Sequence, residues 1–262
     1  MPLQTTSPIT EFSDSFMREL ETRILKAKSE GANLVAAFDA DGTLWDTDIG
    51  DQFFLYQIKH GNLPNMPKDP WQFYLDSKAK DRIKAYYWLA QISVGQKLSQ
   101  VQEWATAAIA EYEKCSGELP ILKSSFKLVQ FLKRQGVEVY VVTASVKWAV
   151  EPAAARFGIS PDHVLGFHTE VDSGVVSDRP VLPATYRQGK ADAILKANKG
   201  LQPFFCAGNT LGDIALLKCS SHIKLAFRTQ SLESKDTHLL QEELALQNEA
   251  LSSGWLHHAF RK

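Results

Sequence analysis

Two aspartates that could act together chemically follow an apolar run in the N-terminal part of the chain. Residues 34–38 are apolar, and Asp39, Asp41 and Gly42 come shortly after them. One carboxylate can act as a nucleophile, and a second one two residues on can donate and accept a proton. Further hydroxyl, amide, carboxyl and ammonium groups follow later apolar runs or begin predicted helices, at Thr143, Ser145, Lys190, Asn209, Thr210 and Asp213.

Apolar runs alternate with helical patterns after residue 120, which predicts a parallel α/β sheet. The strands of that sheet are predicted at 34–38, 137–142, 204–207 and 223–227. A hairpin is predicted around Gly174, between the segments 164–169 and 175–178. Ligands bind outside the carboxyl ends of the strands in open parallel sheets, so we expect the polar residues to share one edge.

Residues 45–119 have a helical character and contain no convincing buried strand. Asp69 followed by Pro70 is a typical helix start, and a capping box at Ser99 predicts a helix that runs to about Cys115. We therefore predict a core made of residues 1–45 and 120–262, with residues 46–119 inserted as a helical cap.

Taken in order, these segments resemble the four motifs of the haloacid dehalogenase superfamily. Asp39-Ala40-Asp41-Gly42-Thr43 is similar to the first motif in its phosphatase form, and the helical insert resembles the cap of the phosphoserine phosphatase-like branch. The resemblance implies a Rossmann-like parallel sheet flanked by helices. The other three motifs are matched by Thr143, Lys190 and Gly208-Asn209-Thr210-Leu211-Gly212-Asp213.

The resemblance implies a magnesium-dependent phosphatase that acts on a small phosphate ester through an aspartyl-phosphate. Asp39 would be the nucleophile and Asp41 the general acid and base. Mg²⁺ would be held by the Asp39 carboxylate, the Asp41 carbonyl and Asp213, with Asn209 as a further candidate. The phosphoryl oxygens would be bound by Gly42, Thr143, Ala144 and Lys190.

Position 209 departs from the pattern of many relatives, which have an aspartate there. The amide of Asn209 forms hydrogen bonds but carries no charge, which would weaken the local negative potential. The alternative is that Asn209 only caps the helix that follows.

The substrate depends on the cap, where Asp48 matches the acid that contacts the substrate amine in phosphoserine phosphatases. An acid among aromatic faces suits an ammonium group, which favours phosphocholine, phosphoethanolamine or phosphoserine. The segments Val142–Ser145 and Tyr186–Lys190 favour the phosphorylcholine-phosphatase-like members. Alternatively, the cap aromatics form only a packed interior: Phe53, Phe54, Tyr56, Trp71, Phe73, Tyr74, Tyr86, Tyr87, Trp88 and Trp104.

The bulk properties of the chain restrict its partners. A formal net charge of -1 over 262 residues gives no field that would attract nucleic acid or an anionic membrane. The three cysteines lack metal-binding spacing, and the N-terminal segment lacks a secretory pattern, so a cytoplasmic location is expected. The alternatives to hydrolysis are a phosphotransferase on the same scaffold and a non-catalytic regulatory protein that binds a phospho-ligand. His257 and His258, near the C-terminus, are predicted to pack or to lie at the surface.

Overall fold

The computed structural model of the chain describes residues 8–61, 63 and 66–262. Most of the N-terminal stretch that was searched for a secretory pattern lies outside these residues. Among the described residues, no helix combines the length and the apolar character that a membrane crossing requires.

Six parallel strands form the main sheet, and two antiparallel strands form a separate hairpin. The strands in chain order are β1 Val35–Phe38, β2 Glu138–Val146, β3 Val164–Phe167, β4 Thr169–Asp172, β5 Val175–Pro180, β6 Phe205–Gly208, β7 Ile223–Arg228 and β8 Leu256–Ala259. The sheet has the order β3-β2-β1-β6-β7-β8, and β4 pairs with β5. This is the predicted Rossmann-like architecture.

The helices lie before, between and after these strands, as expected for a sheet with crossover connections. They are α1 Asp14–Ser29, α2 Ile49–His60, α3 Pro70–Lys80, α4 Arg82–Gln91, α5 Leu98–Ser116, α6 Lys123–Arg134, α7 Lys147–Ala155, α8 Gln188–Ala197, α9 Ile214–Cys219 and α10 Thr237–Ser252. Asp69 is the N-cap of α3 and its side chain accepts a hydrogen bond from the Gln72 N–H, as the sequence predicted. The predicted capping box at Ser99 is wrong, because α5 already begins at Leu98 after Lys97, which makes no side-chain cap.

The strands of the structure differ from the predicted ones in two places. The segment 164–169 was predicted as one arm of the hairpin, but it is divided near His168 into β3, which joins the main sheet, and β4, which pairs with β5. Strand β8 was not predicted, and it pairs in parallel with β7. The sheet therefore has two strands more than the four that the apolar runs indicated.

The chain divides into two compact units. The first consists of the described part of Met1–Asp46 together with Ile121–Tyr140 and Ile194–Lys262, and the second of Thr47–Pro120 and Val141–Ala193. The cap at residues 46–119 and the core around it remain a prediction about domains.

The C-terminal segment is an integral part of the first unit. In that unit, Leu246 and Ala250 of α10 form a buried apolar cluster with Leu217 of α9 and Ala226 of β7. Burial of such side chains contributes about 1.5–3 kcal/mol each for the larger ones. Because α10 and β8 bury their apolar side against β7, residues far beyond the fourth motif can reach the loops that follow β6 and β7.

Hydrogen bonds join the hairpin and the residue after it to α4 and to the turn that follows α4. The Gly95 N–H donates to the Val176 carbonyl at 2.9 Å, and the Tyr87 hydroxyl donates to the Val181 carbonyl at 2.7 Å. Elsewhere in the second unit, Arg156 forms a bidentate ion pair with Glu113 of α5, with distances of 2.7 and 3.1 Å.

Candidate active site

A tight loop after β1 carries both aspartates of the first motif. Asp39 is only 6% exposed, and one of its oxygens accepts a hydrogen bond from the Thr43 hydroxyl at 3.3 Å. The Trp45 indole N–H donates to Oδ1 of Asp41 at 2.6 Å. The Gly42 N–H donates to the Trp45 carbonyl at 2.8 Å, which closes the loop. Both carboxylates are therefore held by residues of their own loop.

The loop after β6 is held by Asp213. Oδ2 of this side chain accepts hydrogen bonds from the Asn209 N–H at 3.1 Å, from the Thr210 N–H at 3.0 Å and from the Thr210 hydroxyl at 3.2 Å. Thr210 and Asp213 form a capping box for the short turn Leu211–Asp213, which leads into α9. Asp213 is fully buried. The role of helix cap, an alternative noted for Asn209, is thus performed by its neighbours.

Two glycines allow these loops to approach other side chains. Gly42 has φ +76, and a Cβ on it would lie 2.0 Å from Nδ2 of Asn209. Gly208 would place a Cβ 2.5 Å from Cβ of Asp213. A side chain at position 42 would also be strained by the left-handed backbone. The amide of Asn209 thus packs directly against the backbone of the first-motif loop.

Glu243 of α10 is a residue of this region that the sequence did not reveal. It is fully buried and its oxygens accept hydrogen bonds from Nδ2 of Asn209, from the hydroxyl and N–H of Thr229, and from the N–H of Gln230. Burial raises the pKa of Glu243, while the hydrogen bonds that it accepts lower it. Only its place on a helix that docks against β7 could have signalled this position.

The residues of these two loops fit a magnesium ion. Mg²⁺ is bound in proteins by one or two carboxylates and other hard oxygens, with water completing the shell. The first unit supplies such donors in the carboxylates of Asp39 and Asp213, the Asp41 carbonyl and the Asn209 amide oxygen. Among the described residues no group of three or more His, Cys, Asp or Glu side chains is placed to hold a metal. A magnesium site here would therefore depend on the carbonyl and amide oxygens as well.

Thr143 lies in the part of β2 that belongs to the second unit. The pairing of β2 with β3 shifts between Val142 and Val146, which leaves Thr143 and its neighbours in an irregular stretch. Such a bulge re-aims side chains at the end of a strand. The Thr143 hydroxyl accepts a hydrogen bond from the Ser145 N–H at 3.0 Å, and the residue is 1% exposed. Ala144 is partly exposed in the same stretch.

Lys190 lies in the first turn of α8 and is 4% exposed. The turn before it is tightly built, since Arg187 has φ +51 and a Cβ on Gly189 would lie 1.7 Å from the Ala184 carbonyl oxygen. A buried ammonium group at the positive end of a helix requires compensating negative charge. This placement is consistent with a lysine that binds an anion.

Asp48 and Asp51 form an acidic pair at the start of α2. Asp48 is the N-cap, and its Oδ1 accepts a hydrogen bond from the Asp51 N–H at 2.8 Å. The pKa of Asp51 is raised to about 7, first by burial and then by the charge of Asp48, against the opposing effect of the Lys78 charge. Asp46, Asp48 and Asp51 all follow the first motif closely in the sequence, but only Asp48 was predicted to contact the substrate.

Lys78 covers two of the aromatic rings in the second unit. Its ammonium lies 5.2 Å from the centre of the Tyr74 ring and 5.6 Å from that of Tyr86. Burial raises the pKa of Tyr86 to about 12, with smaller effects from the charges of nearby groups that include Asp48 and Lys190. Asp48, Lys78 and Lys190 therefore influence the same phenol.

Several other cap aromatics pack against one another. The ring of Phe54 stacks on Trp71 with centres 5.9 Å apart and meets Trp88 edge-on at 5.5 Å. Phe73 also contacts Trp88, at 4.9 Å. They pack against one another, as the alternative drawn from the sequence has it, but they are not all interior, since Phe54 is buried and Phe73 is exposed.

The sequence matches the family model of haloacid dehalogenase-like hydrolases over residues 36–218. This span contains all four motifs and ends before α10. No curated protein matches the sequence.

Solved structures with a similar fold come from several bacteria. A protein of unknown function from Bordetella pertussis Tohama I is 18% identical with a TM-score of 0.62, over 86% of this chain and 98% of that chain. A functionally unknown protein from Anaerococcus prevotii is 15% identical with a TM-score of 0.66, over 98% of this chain and 94% of that chain. A HAD family hydrolase from Salmonella enterica serovar Typhi is 13% identical with a TM-score of 0.52, over 82% of this chain and 72% of that chain. At these identities the similarity shows the fold alone.

Proposed function

Because the chain belongs to the family of haloacid dehalogenase-like hydrolases, we propose that it is a phosphatase that hydrolyses phosphate monoesters with Asp39 as its nucleophile. The observation that carries this proposal is the contact between the two loops of the first unit. The Asn209 amide packs against Gly42, so that the loop of Asp39 and Asp41 meets the loop that ends at Asp213. Two carboxylates with separate roles and a set of hard oxygens are what the reaction requires.

The reaction would proceed in two steps on Asp39. In the first, a carboxylate oxygen of Asp39 attacks phosphorus, the ester P–O bond breaks, and protonated Asp41 gives its proton to the leaving alkoxide. In the second, Asp41 takes a proton from water and the water oxygen attacks phosphorus. The bond between phosphorus and the Asp39 oxygen breaks, which releases inorganic phosphate and restores the free Asp39 carboxylate. Mg²⁺, when bound, neutralises the charge on the phosphoryl group so that an anionic nucleophile can approach it.

We extend the proposal to the phosphoryl-binding residues on the resemblance of the motifs. Thr143 would donate its hydroxyl and Lys190 its ammonium group to phosphoryl oxygens, while N–H groups near Gly42 and Ala144 would donate as well. The burial of Lys190 at the start of α8 supports this role, since the helix end itself disfavours a cation.

For the substrate, we propose a small phosphate ester whose leaving group carries a primary ammonium. The support is the acidic pair Asp48 and Asp51, which together can carry one negative charge more than Lys78 balances. A quaternary ammonium is less well suited, because it needs open aromatic faces and Lys78 already covers those of Tyr74 and Tyr86. This favours esters such as phosphoethanolamine over phosphocholine.

The function is tested by hydrolysis of p-nitrophenyl phosphate and a panel of natural esters, with magnesium or with a chelator. We expect magnesium-dependent phosphate release that Asp39→Asn abolishes. Within the panel, phosphoethanolamine and phosphoserine are expected to exceed glycerol phosphate, which has no amine. Full turnover by Asp39→Asn, or no turnover of any ester by the wild type, would contradict the proposal.

A further inference from the structure

Glu243 lies on α10, outside the residues that match the family model, and yet it contacts the fourth-motif loop. Its two oxygens accept four hydrogen bonds, at 2.9 Å from Nδ2 of Asn209, 2.7 Å from the Thr229 hydroxyl, 3.0 Å from the Thr229 N–H and 2.8 Å from the Gln230 N–H. Each oxygen receives two of these bonds. A carboxylate has about four acceptor positions, so all the positions of Glu243 are occupied.

This arrangement determines the orientation of the Asn209 amide. A carboxylate only accepts hydrogen bonds, so the atom of Asn209 that faces Glu243 must be the Nδ2 donor. The oxygen Oδ1 is then fixed on the other branch of the amide. An aspartate at position 209 would instead put two carboxylates in contact within a buried region, which is strongly unfavourable.

We propose that Glu243 is a positioning residue for the magnesium site, and that it holds Asn209 with its amide oxygen available as a neutral metal ligand. The inference rests on the proposed function for the identity of the metal. The negative charge that a carboxylate at position 209 would carry lies on Glu243 instead, one hydrogen bond away. Residues that hold a metal ligand in this way commonly change metal affinity by about 10–100-fold when they are replaced.

The test compares four proteins that differ at the two positions: the wild type, Glu243→Gln, Asn209→Asp, and the double variant Asn209→Asp with Glu243→Gln. Magnesium affinity is measured by calorimetry without substrate, and the thermal midpoint is measured with and without magnesium. The matched control is Glu242→Gln, which removes the same charge from the neighbouring, partly exposed position of α10.

We expect Glu243→Gln to weaken magnesium binding about tenfold, while Glu242→Gln leaves it unchanged. Asn209→Asp is expected to lower the thermal midpoint, because it places two anions together. The double variant is expected to recover most of the thermal midpoint that Asn209→Asp loses, because the glutamine amide donates a hydrogen bond to the new carboxylate. The two positions would then show an interaction that independent sites do not have.

Two results would overturn the inference: a Glu243→Gln protein that binds magnesium like the wild type, or substitutions whose effects on the midpoint simply add. If Glu243→Gln does not fold, the double variant provides the test, because the inference requires that this variant both fold and bind magnesium. A wild type that binds no magnesium would refute the metal-dependent function as well. Normal binding by the wild type and by Glu243→Gln would refute the role of Glu243 alone.

Discussion

The indole N–H of Trp45 donates to Oδ1 of Asp41 at 2.6 Å, across a turn of four residues that the Gly42 N–H closes by donating to the Trp45 carbonyl. Trp45 is fully buried and Asp41 is partly exposed. The buried ring therefore fixes the direction of the carboxylate that we propose as the acid and base.

Replacement of Trp45 by phenylalanine should lower kcat about tenfold, because the hydrogen bond to a charged group contributes about 1.5–3 kcal/mol and water replaces it only in part. The measurement is kcat and KM for an alkyl phosphate, whose leaving group needs a proton. In an Asp41→Asn background the same replacement should change kcat less than twofold. An equal loss in both backgrounds would show that Trp45 acts through packing and not through Asp41.

The Gly42→Ala variant should lose stability and activity together. The left-handed backbone costs alanine about 1 kcal/mol, and overlap with the Asn209 amide adds about 1–3 kcal/mol. Gly136→Ala is the matched control, because Gly136 has φ +80 and nothing within 4 Å of a Cβ. Chemical denaturation and kcat/KM are measured for both variants, and both losses should be larger for Gly42→Ala than for Gly136→Ala. Equal free-energy losses in both variants would contradict the close contact of the two loops.

Stability should depend on the titration of Asp51. Burial raises the pKa of this carboxyl from 3.8 to about 7, so the folded state keeps a proton that the unfolded state releases between these values. The free energy of unfolding should therefore fall as pH rises from about 4 to 7, at a rate on the order of 1 kcal/mol per pH unit at most. Asp51→Asn should remove this component and be more stable than the wild type at pH 8.

Denaturation curves of the wild type and Asp51→Asn between pH 4 and 8 provide the measurement. Parallel pH profiles for the two proteins would mean that Asp51 titrates normally. For an amine-bearing substrate, KM should fall as pH rises through about 7, since ionised Asp51 attracts the ammonium.

Lys78→Met should change the preference among amine substrates. It uncovers the rings of Tyr74 and Tyr86, so the ratio of kcat/KM for phosphocholine to that for phosphoethanolamine should rise about tenfold. Lys80→Met, an exposed position at the end of the same helix, is the control and should leave the ratio unchanged. The same ratio in both variants would show that Lys78 does not determine the preference between the two substrates.

Much of the fold could be predicted because apolar runs and helix punctuation are local signals. Val35–Phe38 is buried on both faces and reads as a continuous apolar run, and Asp69 caps a helix as its sequence indicates. Strand β8 could not be predicted, because its residues Leu256–Ala259 include two histidines and pair only through β7, about 30 residues earlier in the chain. The break between β3 and β4 depends likewise on which partner each segment finds.

For the candidate site, the sequence located the motif residues but not the side chains that orient them. Asp39 and Asp41 could be identified from their type and spacing. Trp45 and Glu243 looked like ordinary core and helix residues, since only the folded chain brings Glu243 to Asn209, 34 positions away. Asp51 was inconspicuous beside Asp48 because its burial is a property of the packed helices.

The most direct test of the central claim is the capture of a phosphorylated enzyme. A ³²P-labelled ester is mixed with the protein and magnesium, the reaction is quenched in acid within milliseconds, and the labelled peptide is located by mass spectrometry. We predict acid-stable, base-labile label on the peptide of Asp39, more of it in Asp41→Asn and none in Asp39→Asn. Turnover of the ester with no label, or label on another residue, would contradict the assignment of Asp39 as the nucleophile.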